Sequence, residues 1–226
     1  MATSTTTRQT LSRRRTQEER TVATRAKIIA AAIDCLYRLG FAEANTVVIA
    51  AAAGTSRGSM LHHFPSKEEL LIAVAQDILA GSLDDYSRAL SSIVDPVERL
   101  LSTPELAWEG LRSPGYLAWL EISLGTRSSE TLRPLLKKAY DDFDASAGMA
   151  MRSLALAAGL VDLKKIERIR IMLLATMRGL AIEAVIIGSE ERVPPAVRQM
   201  REFLERAVSG ELGGARVTPR RQALPA

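Results

Sequence analysis

The stretch from Asn45 to Lys67, NTVVIAAAAGTSRGSMLHHFPSK, leaves the backbone few choices. Asn45 has a short side-chain carbonyl able to cap a helix, and Val47, Ile49, Ala50 and Ala53 then open an apolar stripe at helical spacing. Gly54 supplies a turn position with positive φ, which a residue with a Cβ occupies only at a cost. Ser56 can cap a second helix through Arg57, Ser59, Met60 and His63, and Ser66-Lys-Glu-Glu69 is a capping box that opens a third. Two short helices around a tight glycine turn describe a helix-turn-helix, whose second helix enters the major groove of DNA. Double-stranded DNA is therefore the expected partner.

Charge supports this direction. The 226 residues carry a formal net charge of +4, unevenly placed. Residues 1–26 alone net +4, with six arginines against Glu18 and Glu19, and through Lys67 the balance is +6. A basic N-terminal third on a slightly acidic remainder is the asymmetry expected where one end meets phosphates. Residues 1–16 read as a disordered basic arm. The N-terminus lacks the apolar run of a secretory signal, and no apolar run approaches the roughly 20 residues that span a bilayer. No membrane partner is expected. Cys35 is the only cysteine, which suits a small core residue in a reducing cytoplasm.

The rest of the chain reads as helix after helix, with marked stops. Thr16-Gln-Glu-Glu19 is a capping box, and an apolar line from Val22 to Tyr37 runs on to Gly40. A long helix starts at Lys67 and runs to about Leu90. Asp95-Pro96, Thr103-Pro104 and Ser113-Pro114 each place a capping side chain before a proline at a first helical position. Further helices are expected over Leu132–Leu156, from Asp162 to Gly188, and from Pro194-Pro195 to Val208. From Gly210 periodicity fades, and 210–226 reads as a disordered tail. The expected fold is all-α, with about nine helices. A helix-turn-helix head over 17–70 precedes a larger helical body over 71–209.

These residues resemble a family, the TetR-type transcriptional repressors. The matching runs are Ile49-Ala-Ala-Ala-Ala-Gly54, Thr55-Ser-Arg-Gly-Ser, and His63-Phe-Pro-Ser-Lys-Glu-Glu-Leu70, with Gly40-Phe41 ending the helix before them. The resemblance is strong over 17–70, whereas the body matches only in being helical. It implies that Ser56, Arg57, Gly58 and Ser59 line the groove-facing side of the recognition helix, with Thr46 and Val47 beside the DNA. Arg57 is the expected base reader, because a guanidinium grips guanine O6 and N7 with two hydrogen bonds. His63 and Lys67 match positions that usually touch phosphate, and Arg13, Arg14 and Arg15 can reach the minor groove. One departure stands out: the family usually has a phosphate-binding tyrosine where this chain has Leu61. Either a phenolic donor is lost there, or the leucine meets a thymine methyl.

Other features divide between bland and sharp readings. His62 and His63 are adjacent, and helical neighbours point about 100° apart, so they do not readily share an ion. Neither a metal nor another cofactor is expected. Gly-x-Gly loops, serine elbows and His–carboxylate pairs are absent, so the chain does not read as an enzyme. Trp108, Tyr116 and Trp119 cluster in a chain with few aromatics. They either pack the core or wall a ligand pocket together with Met149, Met151, Met172 and Met177. Glu121 and Arg178 are polar groups in apolar surroundings, able to orient a small-molecule effector or simply to pair. The helix from Asp162 is apolar around much of its circumference, and the resemblance implies a homodimer through residues 162–208. The whole reads as a cytoplasmic, homodimeric repressor released from a palindromic operator by a small, mainly apolar ligand. Two rivals are a DNA-binding protein without an effector, whose body serves dimerisation or a protein partner, and a helical carrier or enzyme with a vestigial head.

Overall fold

In a computed structural model, the described residues are 16–127, 129–188 and 190–209. Arg13, Arg14 and Arg15, and the tail from Gly210, lie outside them. The described chain is helical throughout: α1 (Gln17–Glu43), α2 (Thr46–Ala52), α3 (Arg57–His63), α4 (Lys67–Ser91), α5 (Pro96–Leu101), α6 (Thr103–Leu111), α7 (Pro114–Gly125), α8 (Leu132–Ala157), α9 (Leu163–Ile187) and α10 (Val193–Ser209). Only Ser102 separates α5 from α6, so the expected count of about nine holds if the two are taken as one bent element. None of these helices is long and apolar enough to cross a membrane.

The caps account for most boundaries. Thr16 and Glu19 close a reciprocal capping box, with Thr16 N–H donating to Glu19 Oε2 at 2.8 Å. Ser66, Asp95, Ser113 and Asp162 each accept a first-turn backbone N–H. Gly188 ends α9 in the left-handed conformation, φ 69°. Three expectations need correction. Gly40 does not end α1 but kinks it, with φ 78°, before the helix resumes to Glu43. Thr103 is the first residue of α6 rather than its cap, and Ser102 caps it only through the backbone. The last helix begins at Val193, one residue before the proline pair, after a 3₁₀ turn over Glu190–Arg192.

Three apolar clusters hold the helices together. The first joins Ile28, Leu36, Ile49, Met60, Phe64, Leu70 and Val74 of α1–α4 to Ala118 and Ile122 of α7 and Leu136 of α8. The second packs Leu100 and Leu101 of α5 against Met151, Ile166, Ile169 and Leu204. The third gathers Leu111, Tyr116, Leu173, Met177 and Val197. Each fully buried aliphatic side chain contributes roughly 1.5–3 kcal/mol of transfer free energy. Because the first cluster runs from α1 into α7, the head is packed directly onto the body as well as tethered by α4.

A polar bridge crosses the body between α8 and α9. Arg170, almost fully buried, binds Asp144 at 2.9 Å and Glu167 at 2.7 Å. The hydrogen bond from Arg170 holds the Glu167 carboxyl below its ordinary value of 4.5. A carboxylate with a depressed folded pKa contributes stability above its unfolded value, and that contribution is lost as pH falls through the folded one. Thermal midpoints of the wild type should therefore drop faster below pH 4.5 than those of Glu167→Gln. Parallel curves would show that the pairing adds nothing.

Candidate functional site

The head is assembled from local caps and two buried anchors. Asn45 Oδ1 accepts the N–H of Val47 at 3.0 Å and of Val48 at 3.1 Å, starting α2. Ile49 and Ala50 turn inward, and Gly54 reverses the chain with φ 61°. Ser56 Oγ then accepts the Ser59 N–H at 3.1 Å, starting α3. Met60 and Phe64 bury themselves at its far end. The Arg25 guanidinium stacks on the Phe64 ring, 4.1 Å from its centroid, and donates to the His63 carbonyl, fixing α3 against α1.

With those anchors in place, Ser56, Arg57, Gly58 and Ser59 form an exposed first turn on α3. Val47 is exposed and Thr46 half-buried beside it. Residues 44–66 contain no carboxylate, and Arg57 has no ion-pair partner among the described residues. Leu61 is half-buried and packed against the head core, so its side chain takes part in holding the helix down. His63 is half-buried, and its ring lies edge-on to that of His62, with centroids 5.6 Å apart.

Lys67 and Glu121 meet somewhere the local pattern does not show. Beyond the kink at Gly40, the Phe41 N–H donates to Glu121 Oε2 at 2.8 Å, and Lys67 Nζ donates to the Phe41 carbonyl at 3.3 Å. The same ammonium lies 4.7 Å above the Phe41 ring. An open cavity of about 580 Å³ borders this joint, lined among others by Leu39, Glu121, Leu124 and Arg127. Glu121 thus ties the end of α1 to α7 instead of joining the aromatic rings. Lys67 keeps two further N–H donors beside the Phe41 contact.

The rings themselves do assemble. Trp119 stands between Tyr116, 5.9 Å away and stacked at 21°, and Tyr140, 5.9 Å away and tilted at 36°. Phe143 extends the row. Arg178 reaches in from α9, 5.5 Å from the Trp119 ring and 5.1 Å from Tyr140, and donates from Nη1 to the Tyr140 hydroxyl at 2.9 Å. Burial pushes the Tyr116 phenol above its ordinary pKa. Trp108 and Met177 pack in the adjoining apolar cluster. Met149 and Met172 do not belong to this group: both are exposed, on outer faces of α8 and α9. Met151 lies in the second cluster, beside α5. Tyr140 and Phe143 join this row although the local sequence does not single them out. Their three-residue spacing on α8 was the available signal, but nothing local pointed it toward Trp119.

Comparison with known proteins adds to this geometry. The family model described as bacterial regulatory proteins, tetR family, matches residues 28–74, most of the head and the start of α4. An uncharacterized HTH-type transcriptional regulator of Mycobacterium tuberculosis is 25% identical over 140 residues, 62% of this chain and 72% of its own length. The HTH-type transcriptional regulator CymR of Pseudomonas putida is 39% identical over 89 residues, 39% of this chain and 43% of its own. Among solved structures, a putative transcriptional regulator from Saccharomonospora viridis, in complex with choline, superposes with a TM-score of 0.61 at 23% identity, covering 83% of this chain and 96% of its own.

Proposed function

The chain belongs to the TetR family of DNA-binding transcriptional regulators, and from that premise we propose that it is a repressor, released from a two-fold symmetric operator by a small ligand bound in its helical body. The observation that carries the DNA reading is the exposed first turn of α3. Arg57 projects there without an ion pair among the described residues, within a stretch, 44–66, that holds no carboxylate. In this reading Arg57 reads base edges, Ser56, Gly58 and Ser59 bring the backbone close to the groove, and Thr46, Val47, His63 and Lys67 flank it. Leu61 contributes mainly by packing. Selection of bound duplexes from a random pool tests the proposal. A motif with two-fold symmetry supports it; no enrichment at low salt overturns it.

The pairing surface in this reading is the outer face of α9 with α10. Ile171, Met172 and Val185 of α9 are exposed, as is Phe203 of α10. Gly179 sits on the same helix with open space where a Cβ would project, so a second helix can approach closely. Apolar area left outside a helix that already buries Ile166, Leu173 and Met177 calls for a partner, and a second copy meets it isologously. Light scattering at micromolar protein should give twice the 24.6 kDa chain mass. A monomeric mass would remove the dimer from the mechanism.

The ligand supports release only if it binds one head arrangement better than another. The ring group around Trp119 is the candidate site, and the choline complex of the Saccharomonospora viridis protein supports placing an effector in the body. The Phe41 joint is the route by which α7 can act on α1: one hydrogen bond from Phe41 to Glu121 and the first apolar cluster connect them.

A further inference from the structure

Among the buried and half-buried arginines of the body, two face carboxylates, Arg99 donates to the Ile93 carbonyl, and Arg178 stands apart for an orphaned donor. Arg170 faces Asp144 and Glu167, and Arg201 faces Glu98, Glu105 and Glu205. Arg178 has no carboxylate partner among the described residues. Its Nη1 meets only the neutral Tyr140 hydroxyl, and its Nε is buried without an acceptor. Trp119 Nε1, in the ring beneath it, is also buried without an acceptor. A buried N–H left unpaired forfeits its hydrogen bond to water without replacement, and a guanidinium without a counter-charge adds to that cost. Two orphaned donors and one uncompensated positive charge therefore converge where α7, α8 and α9 meet.

We propose that this cluster is a site for a small organic monoanion: a carboxylate on an apolar stem, its oxygens received by Arg178 and Trp119 Nε1. The inference rests on the reading of a ligand-released regulator and names the chemical class of that ligand. A carboxylate supplies the two missing acceptors and the missing charge in one group, through charge-assisted hydrogen bonds. The stem continues into the apolar cluster of Tyr116, Trp108 and Met177. A cationic ligand is disfavoured, because the Arg178 guanidinium already covers the ring faces of Trp119 and Tyr140 that would attract it. Arg178 and Trp119 are only half-buried as residues, so the group is reachable from the surface.

The test uses the full, unsubstituted chain, with binding read by titration calorimetry. Benzoate, phenylacetate and octanoate are titrated beside the amide and the amine of the same stem. At least one carboxylate should bind about tenfold or more tightly than its amide, and its amine should not bind. Arg178→Gln should abolish the preference while keeping the thermal midpoint, and Arg178→Lys should retain part of it. Amide or amine binding as tightly as every carboxylate, or no carboxylate binding at millimolar concentration, overturns the assignment, as does an unaltered preference in Arg178→Gln. Release of selected DNA, followed in parallel, separates the two claims. Carboxylate binding that leaves DNA bound would refute ligand release but not the anion site. Release by the amine or amide alone would do the reverse.

Discussion

Alanine at position 57 should weaken binding to a selected operator by about 1–3 kcal/mol per half-site, or roughly 5- to 150-fold. A dimer engaging two half-sites would lose about twice that free energy, which at the upper end is more than a ten-thousandfold change. The argument starts from the fold. Arg57 is the first helical residue of α3, exposed and without an ion pair among the described residues, one turn before Met60, which with Phe64 anchors the far end of the helix. Truncating it removes no core contact, so the thermal midpoint should hold while affinity falls. The selected motif should also blur at one symmetric pair of positions, because a base reader carries sequence information and a phosphate contact does not. A uniform loss across sequences would move Arg57 to the phosphate backbone, and an unchanged affinity would remove it from the interface.

The second large effect is expected at Gly125, where α7 ends against α1. A Cβ added there would stand 2.2 Å from Cγ of Phe41 and 2.4 Å from both Cδ atoms, far inside van der Waals contact. The ring has little room to yield. Its own backbone N–H is held by Glu121, its carbonyl by Lys67, and its face lies under the Lys67 ammonium. Gly125→Ala should therefore cost about 1–3 kcal/mol, the range for overpacking a well-filled site. For a chain of this size that is a midpoint loss of about 2–4 °C per kcal/mol. The cost should shrink once Phe41 is cut back to alanine, and an equal penalty in both backgrounds would place the strain elsewhere. Operator affinity should change with it, because Phe41 lies in the last turn of the helix that carries Arg25 and part of the head core.

The helix starts and stops were legible because they are made within one turn of chain. Asn45, Ser56, Ser66, Asp95, Ser113 and Asp162 each satisfy backbone N–H groups two or three residues away, so their chemistry is complete in the local sequence. The head was legible for the same reason, its glycine turn and caps standing at fixed spacing. Thr103 shows the limit of that logic: a hydroxyl before a proline looked like a cap, yet the tight junction with α5 draws Thr103 into the helix itself.

What tertiary structure decided is which distant side chains meet. Glu121 left the expected ligand wall for the N–H of Phe41, 80 positions away, because α7 lies along the end of α1 there. Arg178 found Tyr140 across 38 positions, and Trp119 found it through the approach of α7 to α8, whereas Met149 and Met172 were carried outward by the rotation of their helices. A sequence pattern states which face of a helix is apolar, since that follows from its own 3.6-residue period. It does not state the angle and depth at which that face meets another helix, which arise only when all the side chains are packed together.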